Sequence, residues 1–130
     1  MVQTVLTGTI RPNAAVKLRA FGLADLVDQE IGGYGSDAYP RGSLLLLVRH
    51  QAQAKYGAAL SDESVVYIAD SPRDVEAAAI GGARSLAVAT GRATVTELRD
   101  CGADLVLPDL SDTGAVVAAI DALTKVPARR

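Results

Sequence analysis

The sequence predicts an α/β protein with a doubly wound, three-layer parallel sheet, and two observations support this fold class. Short runs rich in apolar and β-branched residues alternate with segments of helical periodicity, and the connections between them are short. Such an alternation builds βαβ units, whose strands are parallel and whose helices cover the sheet. The length of 130 residues suits one domain that buries about two-thirds of its unfolded surface.

Composition and charge argue against several classes of function. The net charge of −2 argues against a surface for nucleic acid or anionic membranes. Cys101 is the only cysteine, so the chain cannot form an internal disulfide or a cysteine metal cluster. The first residues lack the pattern of a signal peptide, and no apolar run reaches membrane-spanning length. We therefore expect a cytoplasmic protein that binds neither nucleic acid nor membrane.

The first half of the chain is predicted to alternate between extended and helical segments. These are a strand at 2–7, a helix at 12–21, a short helical turn at 23–28, a weak strand at 30–33, a glycine-rich loop at 35–37 and a long helix at 40–56. Gly22 and Gly57 follow the two helices at the positions where helices commonly end.

Two features of this half are candidates for a binding site. Thr7, Gly8 and Thr9 end the first strand, and such small and hydroxylated residues suit a loop whose backbone amides approach an anion. A plain glycine turn explains them equally well. Arg41 stands in the first turn of the long helix, where the helix dipole disfavours a cation. A solvated side chain explains Arg41, but a nearby anion would give its position a purpose. His50 has no partner at metal-ligand spacing and is expected at the surface.

The second half is predicted to continue the alternation of strands and helices. It contains a strand at 66–68, a helix that stops at Gly81 and Gly82, a strand at 85–89, a helix at 94–101, a strand at 104–107 and a last helix capped by Ser111. In the last helix Val116, Val117, Ile120 and Leu123 recur at helical spacing. Residues 1–125 are thus expected to form the core domain, and residues 126–130 a disordered tail.

Two carboxylates lie where a strand passes directly into a helix. The strand at 66–68 has the composition of one buried on both faces, and Asp70 follows it. Ser71 and Pro72 are typical of a helix start, with Asp74 at the capping-box position. In open α/β sheets, ligands bind beyond the carboxyl ends of the strands. Helix capping alone explains Asp74, because an acid in the first turn complements the helix dipole. The cap does not require Asp70.

These motifs together resemble the haloacid dehalogenase (HAD) superfamily, and more narrowly its phosphoglycolate-phosphatase-like branch. The run Val-Leu-Thr-Gly at 5–8 is similar to the family's second motif, an apolar strand ending in Thr or Ser. Arg41 has the place of the third motif, a Lys or Arg at a helix start. The run Ala-Asp-Ser-Pro-Arg-Asp-Val-Glu-Ala-Ala at 69–78 is similar to the fourth, Gly-Asp-Thr-Pro-x-Asp-Val-x-Ala-Ala. The resemblance extends over nearly the whole chain.

The resemblance implies an Mg²⁺-dependent phosphatase acting on a small phosphorylated metabolite. It implies Mg²⁺ ligands at Asp70 and Asp74, and Mg²⁺ is commonly held by one or two carboxylates together with substrate phosphate. It places the phosphate at Thr7, Gly8, Thr9 and Arg41, where hydroxyl, amide and guanidinium groups supply hydrogen-bond donors.

One motif of the family is missing from the sequence. The first motif is Asp-x-Asp on the central strand, where the first Asp attacks phosphorus, and no Asp-x-Asp occurs here. The resemblance therefore implies the C-terminal portion of such an enzyme, without its nucleophile, its first, central strand and its cap. A gap in the sheet would expose unpaired backbone groups. Three outcomes stay open: direct pairing of the flanking strands, a strand from another copy or chain, or excision from a longer enzyme.

Three functions follow from these observations. The first is a phosphatase that is inactive alone and is completed by an N-terminal segment supplied from elsewhere. The second is a non-catalytic module, derived from the HAD fold, that binds phosphate, Mg²⁺ or another protein. The third is a receiver-like or other flavodoxin-like regulatory module, which suits the fold but does not explain Thr7 and Arg41.

Overall fold

The computed structural model describes residues 1–37, 40–57 and 64–125, except for the side chains at positions 41 and 125. The predicted tail at 126–130 lies outside the described residues. The chain divides into two compact units, here called the N-terminal unit (Met1–Ala59) and the C-terminal unit (Leu60–Arg130). Each unit is described by itself.

The N-terminal unit is built from two α-helices and three short 3₁₀ turns in its described part. In chain order these are α1 (Arg11–Ala20), the turns Ala24–Leu26, Gln29–Ile31 and Gly35–Asp37, and α2 (Arg41–Tyr56). Gly22 and Gly57 follow the two helices with φ of +69° and +66°, a left-handed conformation that glycine adopts without a steric penalty. Both predicted helices and their glycine stop signals are thus confirmed.

The prediction of two strands in this unit, at 2–7 and 30–33, is wrong. Within the described residues, their pairing is reduced to a single parallel bridge between Leu6 and Gly33. The amide of Thr7 donates to the Gly33 carbonyl at 3.0 Å, and the amide of Gly33 donates to the Val5 carbonyl at 2.9 Å. Glu30 and Ile31, the first two residues of the predicted second strand, belong instead to the 3₁₀ turn Gln29–Ile31. Consecutive glycines offer no side chains to pack on a pleated surface, so the ladder extends no further.

In its described part, the C-terminal unit consists of a three-stranded parallel sheet in which each strand is followed by a helix. Its elements are β1 (Val66–Ala69), α3 (Pro72–Ile80), β2 (Arg84–Val88), α4 (Val95–Asp100), β3 (Leu105–Leu107) and α5 (Thr113–Lys125). The strand order is β1-β2-β3, and both pairings are parallel. All three predicted strands of this half are confirmed to within one or two residues.

Helices cover both faces of this sheet, and the alternation of side chains along β2 decides which helix meets which face. Ala87 packs with Val75 of α3 and Leu98 of α4. Its neighbour Leu86 points to the opposite face and packs with Ala119 and Leu123 of α5. The C-terminal unit therefore has the three layers of the predicted fold class.

Three details of this unit differ from the sequence prediction. Ile68 is 40% exposed because β1 lies at one edge of the described sheet, so the strand buried on both faces is β2. The cap of α5 is Asp112, whose Oδ1 accepts from the amide of Ala115 at 3.0 Å, whereas Ser111 binds Asp109. Val117 is exposed, since the helix turns it away from the sheet.

None of the helices that the structure describes has the length and apolar character needed to cross a lipid bilayer.

Candidate functional site

The loop of Thr7, Gly8 and Thr9 folds around the Thr7 hydroxyl. The amide of Thr9 donates to Thr7 Oγ1 at 3.1 Å, so this amide is used inside the loop. The amides of Gly8 and Ile10 have no acceptor among the described residues. The loop can therefore offer the Thr7 hydroxyl and two amides to an anion.

Helix α1 begins directly after this loop. Ile10, its N-cap residue, provides no side-chain cap, and the first turn carries no acidic residue. The first helical amide, that of Arg11, donates to Ser36 Oγ at 3.2 Å. The positive end of the α1 dipole thus adds to the attraction of the loop for an anion.

The Gly35–Asp37 turn lies against the back of the loop. The amide of Gly35 donates to the Thr9 carbonyl at 2.9 Å. A Cβ atom on Gly35 would lie 2.0 Å from the carbonyl oxygen of Gly8, which is far inside van der Waals contact. Only glycine fits at position 35 while the loop keeps this shape.

Arg41 is the first residue of α2, as the sequence predicts, and its side chain lies outside the described part of the structure. The first turn of α2 contains no acidic residue. His50 is exposed on the same helix, as expected.

Asp70 lies just past the carboxyl end of β1, with its side chain close to the loop that follows β2. A Cβ atom on Gly91 would lie 3.2 Å from Asp70 Oδ2 and 3.1 Å from the Asp70 carbonyl oxygen. Asp70 is exposed and borders an open depression of about 420 Å³, which Arg92 and Glu97 also line. The carboxylate of Asp70 is thus accessible from solvent.

Asp74 is held inside the same turn. It is only 8% exposed. Ser71 Oγ accepts from the Asp74 amide at 3.2 Å and donates to Asp74 Oδ2 at 3.1 Å, and the Tyr67 hydroxyl donates to Oδ1 at 3.4 Å. The predicted capping of α3 by Ser71 is confirmed, and the Asp74 carboxylate ties the helix start to β1.

The predicted site residues are therefore divided between the two units. The residues predicted to bind phosphate lie in the N-terminal unit, and the two acids predicted to bind Mg²⁺ lie in the C-terminal unit. Within the described ranges, no group of three or more acidic, histidine or cysteine side chains could enclose a metal ion. Mg²⁺ does not need such a cage, because it keeps several waters and binds through one or two carboxylates and substrate phosphate. Asp70, with the open space that Gly91 leaves beside it, suits this mode.

A salt-bridge network links the end of α2 to Asp28 and Glu30, which precede the Gly35–Asp37 turn in the chain. Lys55 near the end of α2 lies 2.8 Å from Asp28 and 2.9 Å from Glu30. The hydrogen bonds from Lys55 and from the Tyr56 hydroxyl lower the pKa of Asp28, and the same contact with Asp28 raises the pKa of Lys55. Burial raises the pKa of Tyr34, whose hydroxyl donates to the Gln29 carbonyl at 2.7 Å.

Sequence reasoning missed the parts played by Gly35, Gly91 and Tyr67. Gly35 and Gly91 each touch a residue far away in the chain, so their sequence surroundings show only ordinary glycine turns. Tyr67 offered one signal, since a buried tyrosine usually needs a partner for its hydroxyl.

Two family models match the sequence. The model described as haloacid dehalogenase-like hydrolase covers residues 2–79, and the model described as HAD-hydrolase-like covers residues 46–113. No curated protein sequence matches the chain.

Several solved structures share the fold. A HAD family hydrolase from Deinococcus radiodurans, solved with bound phosphate and sodium, is 22% identical with a TM-score of 0.70, and the match covers 96% of this chain and 54% of that one. A haloacid dehalogenase-like protein of unknown function from Agrobacterium tumefaciens is 21% identical with a TM-score of 0.69, and the match covers 91% and 54%. A predicted phosphatase from Clostridium acetobutylicum is 18% identical with a TM-score of 0.67, and the match covers 90% and 52%.

The chain thus spans about half the length of these structures. At identities this low, the solved structures show only that the fold is shared. Membership of the family rests on the two family models. Each model covers more than half of the sequence, and together they extend from residue 2 to residue 113. The chain belongs to the haloacid dehalogenase-like hydrolases.

Proposed function

We propose that this chain is the phosphate- and Mg²⁺-binding part of a phosphatase-type hydrolase of the phosphoglycolate-phosphatase-like branch. Its substrate is a small phosphorylated metabolite in the cytoplasm. The observation that carries the proposal is the turn from Asp70 to Asp74. There an accessible carboxylate at a strand end stands beside an inward carboxylate that fixes the next helix. The lone, free Cys101 supports the cytoplasmic location.

The phosphate group is held by the loop before α1. The Thr7 hydroxyl and the Gly8 amide donate to phosphate oxygens, and the Thr9 amide keeps the Thr7 hydroxyl in place. Arg41, at the start of α2, adds a cation that neutralises the phosphate charge. The structurally similar hydrolase from Deinococcus radiodurans was solved with bound phosphate, which agrees with such a ligand.

In this proposal Asp70 binds Mg²⁺ directly. Asp74 contributes indirectly, because its hydrogen bonds to Ser71 and Tyr67 hold the turn that carries Asp70. The space beside Gly91 leaves room for an ion and its waters at Asp70 Oδ2. When bound at Asp70, Mg²⁺ would supply positive charge that stabilises negative charge on a phosphoryl group. The chain's own residues orient the phosphate and hold Asp70 at the strand end.

The nucleophile comes from a separate segment in this proposal. Because the sequence contains no Asp-x-Asp, the 130-residue chain cannot form an aspartyl phosphate in the manner of the family. We infer that turnover needs an N-terminal segment that carries this motif on a strand and is supplied by a chain of different sequence, because a second copy of this chain lacks the motif as well.

Hydrolysis of an aryl phosphate tests the proposal. The purified chain is assayed with Mg²⁺ and with a chelator, alone and after addition of a strand segment carrying Asp-x-Asp. We expect no turnover alone and Mg²⁺-dependent turnover with the segment. Asp70→Asn should abolish the restored activity, whereas Asp100→Asn at an exposed position of α4 should leave it unchanged.

Two results would count against the proposal. Continued inactivity with a properly assembled segment contradicts the catalytic role. If phosphate and Mg²⁺ still bind in that case, the chain is a non-catalytic binding module, and if neither binds in calorimetry, it is a protein-interaction module. Mg²⁺-dependent turnover by the chain alone would contradict the need for a supplied nucleophile.

A further inference from the structure

The loop before α1 has two faces, and the Gly35–Asp37 turn covers one of them. A Cβ atom placed on Gly35 would lie only 2.0 Å from the Gly8 carbonyl oxygen. The Thr9 carbonyl accepts a hydrogen bond from the Gly35 amide at 2.9 Å. Two consecutive carbonyl groups therefore face Gly35.

The planar trans peptide fixes where the matching amides point. All peptide bonds of the described chain are trans, and in a trans peptide the C=O and N–H bonds point in opposite directions. With the carbonyls of Gly8 and Thr9 turned toward Gly35, the amides of Thr9 and Ile10 point away from it. The Thr9 amide then meets Thr7 Oγ1, and the Ile10 amide has no acceptor among the described residues.

The turn that carries Gly35 is itself held at several points. The Tyr34 amide donates to Asp37 Oδ2 at 2.9 Å, and the Asp37 amide donates to the Tyr34 carbonyl at 3.0 Å. The guanidinium of Arg11 lies 4.4 Å from the centre of the buried Tyr34 ring. These contacts hold the Gly35–Asp37 turn in place behind the loop of Thr7, Gly8 and Thr9, which has little regular structure of its own.

We propose that Gly35 is a positioning residue of the phosphate-binding loop. Its bare backbone holds the Gly8 and Thr9 carbonyls on one side, so that the Thr7 hydroxyl and the Ile10 amide present their donors together on the other. The phosphate site thereby includes the Ile10 amide in addition to Thr7 and Gly8. This inference rests on the phosphate site of the proposed function.

The test is a titration of the isotope-labelled 130-residue chain with inorganic phosphate, followed by the NMR shifts of the backbone amides. In the wild type, the amides of Gly8, Thr9 and Ile10 should shift on addition of phosphate. Gly35→Ala should weaken phosphate binding about tenfold or more, since it displaces hydrogen bonds to a charged ligand. The amide shifts of the C-terminal unit should remain unchanged in this variant.

A matched glycine variant separates positioning from a general loss of stability. Gly22 follows α1 with φ of +69°, and a Cβ atom on it would meet no other atom within 4 Å, so Gly22→Ala strains the backbone without touching the loop or the Gly35–Asp37 turn. We expect a lower melting temperature from Gly22→Ala but a phosphate affinity within about twofold of the wild type. Equal loss of affinity in both variants would overturn the positioning role.

Asp37→Ala keeps the proposal testable if Gly35→Ala does not fold. It removes the acceptor of the Tyr34 amide without adding atoms, and it should weaken phosphate binding several-fold while the fold remains. Unchanged affinity in this variant overturns the inference and leaves the proposed function standing. Absence of any phosphate response in the wild type instead overturns the phosphate site itself, and the inference with it.

Discussion

Replacement of Ser71 by alanine tests how much the hydrogen bonds between Ser71 and the buried Asp74 contribute to stability. Ser71 Oγ makes two hydrogen bonds to Asp74, one from the amide and one to Oδ2. Loss of a helix cap costs about 1 kcal/mol. Loss of a hydrogen bond to a buried carboxyl group adds about 1.5–3 kcal/mol, since Asp74 is only 8% exposed. The expected loss in the free energy of unfolding is therefore about 2.5–4 kcal/mol.

Thr94→Ala is the matched control for this prediction. Thr94 caps α4 in the same pattern, since its Oγ1 accepts from the Glu97 amide and donates to Glu97 Oε1, both at 3.1 Å. Here, however, both residues are exposed, so the expected loss is about 1 kcal/mol. Urea unfolding followed by circular dichroism measures both variants. If Ser71→Ala costs no more than Thr94→Ala, burial of the Asp74 carboxyl does not strengthen the cap and the reasoning is refuted.

Three further predictions concern other contacts. Gly91→Ala should weaken Mg²⁺ binding about tenfold in a calorimetric titration, because its Cβ would lie 3.2 Å from Asp70 Oδ2, and unchanged affinity would contradict this. Leu98→Ala should lower the free energy of unfolding by about 2–5 kcal/mol, because the side chain is fully buried, and a loss below about 1 kcal/mol would contradict close packing there. The lowered pKa of Asp28 stabilises the fold above the usual Asp pKa of about 3.9, and this contribution is lost as the pH falls through the lowered value. The stabilities of the wild type and Asp28→Asn should therefore converge in acid, and a constant difference would contradict the shift.

Local sequence signals determined much of this protein. The helix start at Ser71 and Pro72 was predictable because a cap depends on residues within one turn of each other. The stops at Gly22 and Gly57 were predictable because a left-handed residue ends a helix whatever surrounds it. The short motifs also sufficed to indicate the haloacid dehalogenase-like family, which the family models confirm. The roles of Thr7 and Arg41 in binding phosphate, and of Asp70 and Asp74 in binding Mg²⁺, remain predictions.

Contacts between distant parts of the chain were decided only by the tertiary structure. A run of apolar residues at 2–7 has strand character, but whether it becomes a strand depends on its partner, and the glycines at 32–33 allow one bridge. The exposure of Ile68 follows from the place of β1 at the edge of the sheet that the described residues form, and the composition of β1 does not encode this place.

In the candidate site, too, the sequence predicted some features and the tertiary structure decided others. The sequence identified Asp70 and Asp74 as a pair of acids, and the structure gave them different surroundings, one open to solvent and one tied to Ser71 and Tyr67. It also placed Gly35 against Gly8, a contact that neither residue reveals alone. Turn and cap chemistry depends on neighbours in sequence and can be read from it, whereas burial and close approach depend on which segments meet when the chain folds.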